Sequence, residues 1–403
     1  MSTTPPSWAS ALRNGGHRSV DRAAIGAMLR LGGCLYDPPH DAEAAVDALL
    51  DELDAAGLPA GLDGRFDPTE VVNLMIAEGV DGRSAFWRNR YVATGQRLVS
   101  DLARERGPRR FEIAFARCFD LSRHVPGTRL RLRLPMPIAD AHLSDLSITV
   151  EQGPAQTAIM PGRLEAKIVV GDLTRVTVAA RIGFTAHPGV PHGDAPSPRE
   201  RETWLAEREG PVAVTPRVRA LAHSLGGSDA ADRVRRFRDH LVDAFVCGPV
   251  HPDRIGPGPA TDWVLDQRRY DCRLGAALLV ALCRASGIPA RLIGGYLLWA
   301  APTEHYWVEI WLPDQGWTPH DLLAWDLSAG GRDAAWRDIY AGAVDYRMKT
   351  QVFPDIFTGA PGVTMPPALQ RLARAIDGGT ETRFVTIPDG AALYTDTIRI
   401  LTK

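Results

Sequence analysis

The sequence predicts an α+β chain in four stretches. Three observations carry that prediction. Apolar residues recur at helical spacing in the first hundred residues, and short alternating runs broken by Gly and Pro fill 109–186. A strongly apolar helix opening at Cys272 then runs straight into strand-patterned sequence. The expected organisation is a helical N-terminal region (1–108), a small antiparallel, sandwich-like β domain (109–188), a core of helix packed on antiparallel sheet (189–360), and a C-terminal segment with a β-hairpin (361–403).

In DAEAAVDALLDELDAAGL (41–58), Ala45, Val46, Leu49, Leu50 and Leu53 form one helical stripe, with Asp41 as N-cap and Gly57 as stop. PTEVVNLMIAEGV (68–80) and the region 84–106 read as further helices, and none carries a catalytic signature. Strands follow in RFEIAFARCFDL (110–121), TRLRLRLPMP (128–137), LSDLSITVEQG (143–153), RLEAKIVVG (163–171) and TRVTVAARIGF (174–184). Leu130, Leu132 and Leu134 face one side of their strand, and Arg129, Arg131 and Arg133 the other, as in a half-buried strand with a solvated charged face. HPGVPHGDAPSPRE (187–200) is a Pro- and Gly-rich linker. TPRVRALAHSLGG (215–227) and DAADRVRRFRDHLVDAFV (229–246) are helices. Asp389-Gly390 lies between alternating runs and signals a hairpin.

Composition narrows the function. The 403 residues are 45% hydrophobic and 23% charged, with 46 Lys+Arg against 48 Asp+Glu, which excludes a disordered chain and leaves no basic field for nucleic acid. No apolar run is long enough to span a membrane, and the N-terminus has no signal-peptide pattern, so a cytoplasmic protein is expected. Five widely spaced cysteines make neither a disulfide framework nor a C-x-x-C zinc site, and no calcium loop motif occurs. No cofactor is expected.

The chemistry concentrates between 262 and 322. Leu274, Leu278 and Leu282 recur every fourth residue, and Gly287 followed by Pro289 ends the helix. Cys272 therefore stands at the first turn, where the helix dipole favours a thiolate, whereas Cys283 falls in the last turn and reads as packing. In EHYWVEIWLPDQGWTPHD (304–321), Val308, Ile310 and Leu312 form an apolar strand face, with His305, Trp307, Glu309 and Trp311 on the other. A turn at 313–316 returns a second strand that ends at Asp321. A four-residue loop would put His305 and Asp321 on opposite faces, so their meeting requires an odd loop length or a bulge. Cys272, His305 and Asp321 would then make a nucleophilic triad, with the N–H groups at the helix start as oxyanion donors. A zinc site built from these three and His320 is disfavoured, since adjacent residues on a strand point apart.

The ordered blocks VLDQRRYDCRLGAALLVALCRASGIPARLIGGY (264–296) and HYWVEIWLPDQGWTPHD (305–321) resemble the cysteine block and the histidine–aspartate block of bacterial transglutaminase-like proteins, in the papain-like cysteine enzyme superfamily. DYRMKTQVFPDIFTG (345–359), TPRVRALA (215–222) and RLRLPMP (131–137) resemble flanking phrases of the same group. The resemblance runs over 189–360, more weakly over 109–188, and leaves out the first hundred residues. It implies a papain-like transglutaminase core with Cys272 as nucleophile, His305 as general acid/base and Asp321 as the orienting carboxylate. It also shows three departures. Tyr270 stands where the family often has Gly, Tyr306 where it often has Ala, and Cys247 near the place of an aromatic oxyanion donor. Tyr270 and Trp307 are accordingly expected as substrate-facing walls of the site.

The implied activity is a cysteine acyltransferase that forms an amide through a Cys272 acyl-thioester. Its partners would be an acyl donor, small or borne on a carrier protein, and an amine acceptor; neither nucleic acid nor membrane is expected, and the oligomeric state is left open. Hydrolysis of the same acyl-enzyme, as in a protease or amidase, is the runner-up. A non-catalytic binding module is a third reading, opposed by retention of Cys, His and Asp together.

Overall fold

A computed structural model describes residues 107–122, 124–140, 142–171, 174–187, 195–247, 255, 258–298, 302–322, 347–353, 370–376, 381–387 and 393–402, together with 47, 48, 50 and 51. The helices expected at 68–80 and 84–106, most of that at 41–58, and the turn at Asp389-Gly390 lie outside the described residues. Asp47, Ala48, Leu50 and Asp51 are helical, and Leu50 is buried.

The first described strands are β1 (Arg109–Asp120), β2 (Arg129–Pro135), β3 (Leu143–Gln152), β4 (Gln156–Met160), β5 (Arg163–Val169) and β6 (Arg175–Ala186). They divide between two sheets. β1, β6 and β3 are neighbours in one, and β2, β5 and β4 form the other. Alternation explains the packing. Phe111, Ile113 and Phe115 of β1, and Ala180, Ile182 and Phe184 of β6, meet Leu132 and Leu134 of β2 and Leu164 and Ala166 of β5 in one apolar core. This is the expected sandwich. The outward arginines of β2 are partly neutralised by Glu165, which lies 3.3 Å from Arg131 Nε, 3.5 Å from Arg133 Nε and 3.7 Å from Arg163 Nε.

After the linker come α1 (Pro198–Trp204), β7 (Arg208–Glu209), β8 (Val212–Ala213), α2 (Pro216–Leu225), α3 (Ala230–Ala244), β9 (Val246–Cys247), α4 (Ala260–Gln267), β10 (Arg269–Tyr270) and α5 (Cys272–Ala285). Ser197 and Glu200 form a capping box that starts α1 inside the expected linker, a helix the Pro-rich composition concealed. Thr215 and Asp229 cap α2 and α3. α5 is enclosed on all sides, which is why its sequence is apolar beyond a single stripe. At its far end, Arg284 donates to the carbonyls of Ala290 and Ala206 and to Glu209, tying the helix to the following strand.

The chain continues through β11 (Ala290–Leu297), β12 (Thr303–Leu312), β13 (Gly316–His320) and β14 (Arg347–Val352), which form an antiparallel sheet in the order β13-β12-β11-β14. Tyr306, Val308, Ile310 and Leu312 turn onto α5 and share its core with Leu274, Leu278 and Leu282. The fold is thus the expected helix on sheet. β14 also joins this unit to the sandwich: Met348 enters the sandwich core with Tyr296 and Leu298, and the Ile138 N–H donates to the Lys349 carbonyl at 2.7 Å.

The last strands, β15 (Gln370–Ile376), β16 (Glu381–Ile387) and β17 (Leu393–Thr402), were expected as a separate hairpin segment. β16 and β17 do pair as a hairpin. Yet β17 also pairs along β1, so the sheet reads β15-β16-β17-β1-β6-β3 and the chain's end completes the sandwich. Arg117 of β1 fixes the join through Asp396 at 2.6 and 2.7 Å, beneath the Tyr394 ring 3.9 Å away. Local patterning carries no trace of a pairing this distant in sequence.

Candidate active site

The β12–β13 turn decides whether His305 and Asp321 can meet. Register pairs Leu312 with Gly316 and Trp311 with Trp317, so three residues, Pro313 to Gln315, connect the strands. The Gln315 N–H donates to the Leu312 carbonyl, and Gly316 follows at φ 68°, the left-handed position that closes a three-residue hairpin. The odd connection puts positions 305, 307 and 321 on one face. His305 Nε2 lies 2.7 Å from Asp321 Oδ2, and both side chains are about 1% exposed. His305 Nδ1 is buried and has no hydrogen-bond partner among the described residues.

Cys272 reaches this place from the start of α5. Asp271 caps the helix by accepting the Leu274 N–H at 2.7 Å. The Tyr306 N–H, one residue beyond His305, lies close enough to the thiol to pull its pKa down, and the Asp321 charge acts on the same thiol. Burial pushes the thiol's pKa up, and the Asp271 and Asp321 charges add to it, outweighing the Tyr306 N–H and Arg273. Burial likewise raises the Asp271 carboxyl, against Arg273 and the backbone N–H groups of its own cap. Cys272 and Asp271 both keep partial contact with solvent. A thiol in these surroundings ionises by passing its proton to a neighbouring base.

The cap also limits the helix N–H groups. Those of Arg273 and Leu274 turn toward the Asp271 carboxylate, leaving the Cys272 N–H as the first-turn donor outside the cap. Cys247 lies beside Tyr270 in the short parallel pair of β9 with β10. Cys283 is fully buried in the last turn of α5, and burial raises its thiol.

Two expected walls are not walls. Tyr270 is fully buried in the helix core, where its ring occupies the space beside Gly275; a Cβ there would meet it at 2.5 Å. The aromatic side chain of Tyr270, from β10, is accommodated by Gly275 of α5 rather than facing the approach to the thiol. Trp307 is 2% exposed, enclosed between Gly295 and the Arg347 guanidinium, which sits 4.8 Å from its ring centroid. Gly295 is required for this close approach, since a Cβ would fall 2.8 Å from the indole and 2.2 Å from the Met348 carbonyl. His320 points to the opposite face, 3.1 Å from the Thr318 hydroxyl, away from Asp321.

Sequence reasoning missed the cations of β14. Arg347 Nη2 lies 3.1 Å from Asp321 Oδ2, the same oxygen that meets His305. Lys349 Nζ holds Glu309 at 2.9 and 3.1 Å and also pairs with Asp140 of the sandwich. Arg291 adds a second contact to Glu309 at 2.6 Å. Burial works to raise Glu309, but Lys349 and Arg291 outweigh it and hold the carboxyl well below its ordinary range. The sequence signal for Arg347 was the phrase DYRMKT, which carried a resemblance but no role.

Residues 219–322 match the family model of the transglutaminase-like superfamily, so this part of the chain is a transglutaminase-like core. A curated relative, the protein-glutamine gamma-glutamyltransferase of Pseudomonas aeruginosa, is 29% identical over 168 residues. That alignment takes in 38% of this chain and 24% of the relative, so the chain spans about a quarter of that protein's length. Among solved structures, the periplasmic domain of TgpA from Pseudomonas aeruginosa overlaps with a TM-score of 0.34 at 20% identity, covering 60% of this chain and 94% of that one. A cysteine-protease candidate from Cytophaga hutchinsonii overlaps with a TM-score of 0.45 at 14% identity, covering 73% and 91%. No helix among the described residues is long and apolar enough to cross a membrane.

Proposed function

We propose that this chain, whose residues 219–322 form a transglutaminase-like core, is a cysteine acyltransferase that moves an acyl group from a carboxamide to an amine. In the first step the Cys272 S–H proton passes to His305 Nδ1 as sulfur attacks the carbonyl carbon. The tetrahedral intermediate collapses by breaking the C–N bond, and the imidazolium returns its proton to the departing amine. A thioester remains on Cys272. An acceptor amine then attacks it, gives a proton to His305 and forms the new amide, and the proton returns to sulfur. Asp321 holds the imidazole so that Nδ1 faces the thiol and stabilises its charged form.

The observation that carries this reading is the 2.7 Å contact of His305 Nε2 with Asp321, which leaves Nδ1 unengaged, with the thiol held at the next residue's amide. The donor class follows the relative's name: a glutamine side chain is the carboxamide to try first. Water as second nucleophile would make the same site a hydrolase. Burial of Tyr270 and Trp307 removes them as a means of excluding water, so the choice of amine rests on the relative. The test is partitioning. The protein is incubated with a glutaminyl peptide and a rising concentration of primary amine, and amide and free acid are both measured. Amide should rise at the expense of acid. An acid yield unchanged across a broad amine panel would make the enzyme a hydrolase.

A further inference from the structure

We infer that Arg347 is a positioning residue of this site, one that shares the Asp321 carboxylate with His305 and so sets the pH range over which the Cys272–His305 pair is charged. The inference rests on the triad reading above and adds a fourth member to it. Asp321 Oδ2 has two partners at once, His305 Nε2 at 2.7 Å and the Arg347 guanidinium, whose Nη2 lies 3.1 Å away. All three side chains are nearly or fully buried, at 1%, 1% and 8% exposure, so their charges are weakly screened. Arg347 is itself held in place, stacked over Trp307 on the same strand face as His305.

A guanidinium on the shared oxygen has two consequences. It keeps Asp321 ionised as the pH falls, because a neighbouring cation favours the carboxylate. It also opposes a second positive charge on His305, because the carboxylate's charge is already divided. Asp321 unopposed would stabilise the imidazolium strongly; with Arg347 it stabilises the imidazolium less and orients the ring as before.

The other groups that act on the thiol are Asp271 and Arg273 at the start of α5 and, beside Asp321, the Tyr306 phenol of β12. Glu309 and Lys349 of the same sheet hold each other, and Arg238 of α3 acts on His320 of β13 on the opposite face. Arg347 is felt beyond Asp321. Burial first, then Arg238 and Arg347, bring His320 down to about 3.

The experiment uses the full chain and needs no knowledge of the substrate. The rate at which iodoacetamide alkylates Cys272 is followed against pH by peptide mass analysis, for the wild type, Arg347→Met and Arg347→Lys. Removing a nearby cation favours the protonated form of every group around it. The inflections for Arg347→Met should therefore move to higher pH by about one unit, while Arg347→Lys stays near the wild type. A slower or less stable Arg347→Met protein with unmoved inflections would overturn the inference, as would a Lys variant that shifts as far as Met. If Arg347→Met does not fold, the Lys variant still decides by the ¹H–¹⁵N imidazole titration of His305. A titration within about 0.3 unit of the wild type supports a role for charge, and a larger shift overturns it. If wild-type Cys272 alkylates no faster than an ordinary buried thiol at any pH, the triad reading fails first and the inference falls with it.

Discussion

The two faces of β12 are both buried, and they are built on opposite principles. On one, Tyr306, Val308, Ile310 and Leu312 pack against α5 in an apolar core. On the other, His305 meets Asp321 and Glu309 meets Lys349 and Arg291, with Trp307 between them. The apolar face holds the helix on the sheet and needs only suitable shape and volume. The polar face must satisfy each charge it buries, because an unpaired buried charge costs several kcal/mol. One strand thus separates the work of folding from the work of chemistry by its two-residue period.

Asp321→Asn should break the polar face most severely. It keeps the size of the side chain but removes the charge that orients His305. Acyl transfer should fall on the order of 10³–10⁴-fold, with secondary structure unchanged by circular dichroism. Wild-type turnover in this variant would remove Asp321 from the site.

Lys349→Met should come next, acting on stability. It leaves Glu309 and Asp140 without their shared ammonium and should cost about 3–5 kcal/mol in denaturant unfolding at neutral pH. The pH dependence has a definite sign. Glu309 is held below its unfolded pKa, so its contribution is present above roughly pH 4.3 and is lost as the pH falls through the folded pKa. Without Lys349 that contribution shrinks, and the acid-unfolding midpoint should move to higher pH. A midpoint that stays in place or falls would mean that the pair does not stabilise the fold. Ile310→Val, on the apolar face, should cost only about 0.5–1.5 kcal/mol and leave the acid midpoint where it was, which sharpens the contrast between the faces.

The same contrast explains what the sequence disclosed. The apolar face, the helix opening at Cys272 and the strand carrying His305 follow from periodicity within short windows. The His305–Asp321 meeting reduced to a question of parity, which the three-residue turn at Pro313 to Gln315 answered. The partners of the polar face were not legible, because Arg347, Lys349 and Asp140 arrive from distant strands and nothing local marks them as buried. The pairing of β17 with β1 was hidden for the same reason. Tyr270 misled because its place next to the nucleophile in sequence was read as nearness in space, whereas Gly275 opens a core site for its ring.

Cys272, and no other thiol of this chain, is expected to carry the acyl group. Intact-mass analysis of the protein incubated with a glutaminyl peptide tests it most directly, with peptide mapping of any adduct and parallel runs of Cys272→Ala and Cys283→Ala. One acyl adduct per chain is expected, mapped to Cys272, released by added amine, absent from Cys272→Ala and retained by Cys283→Ala. An adduct that persists in Cys272→Ala, or one that maps to Cys283 or Cys247, would contradict it.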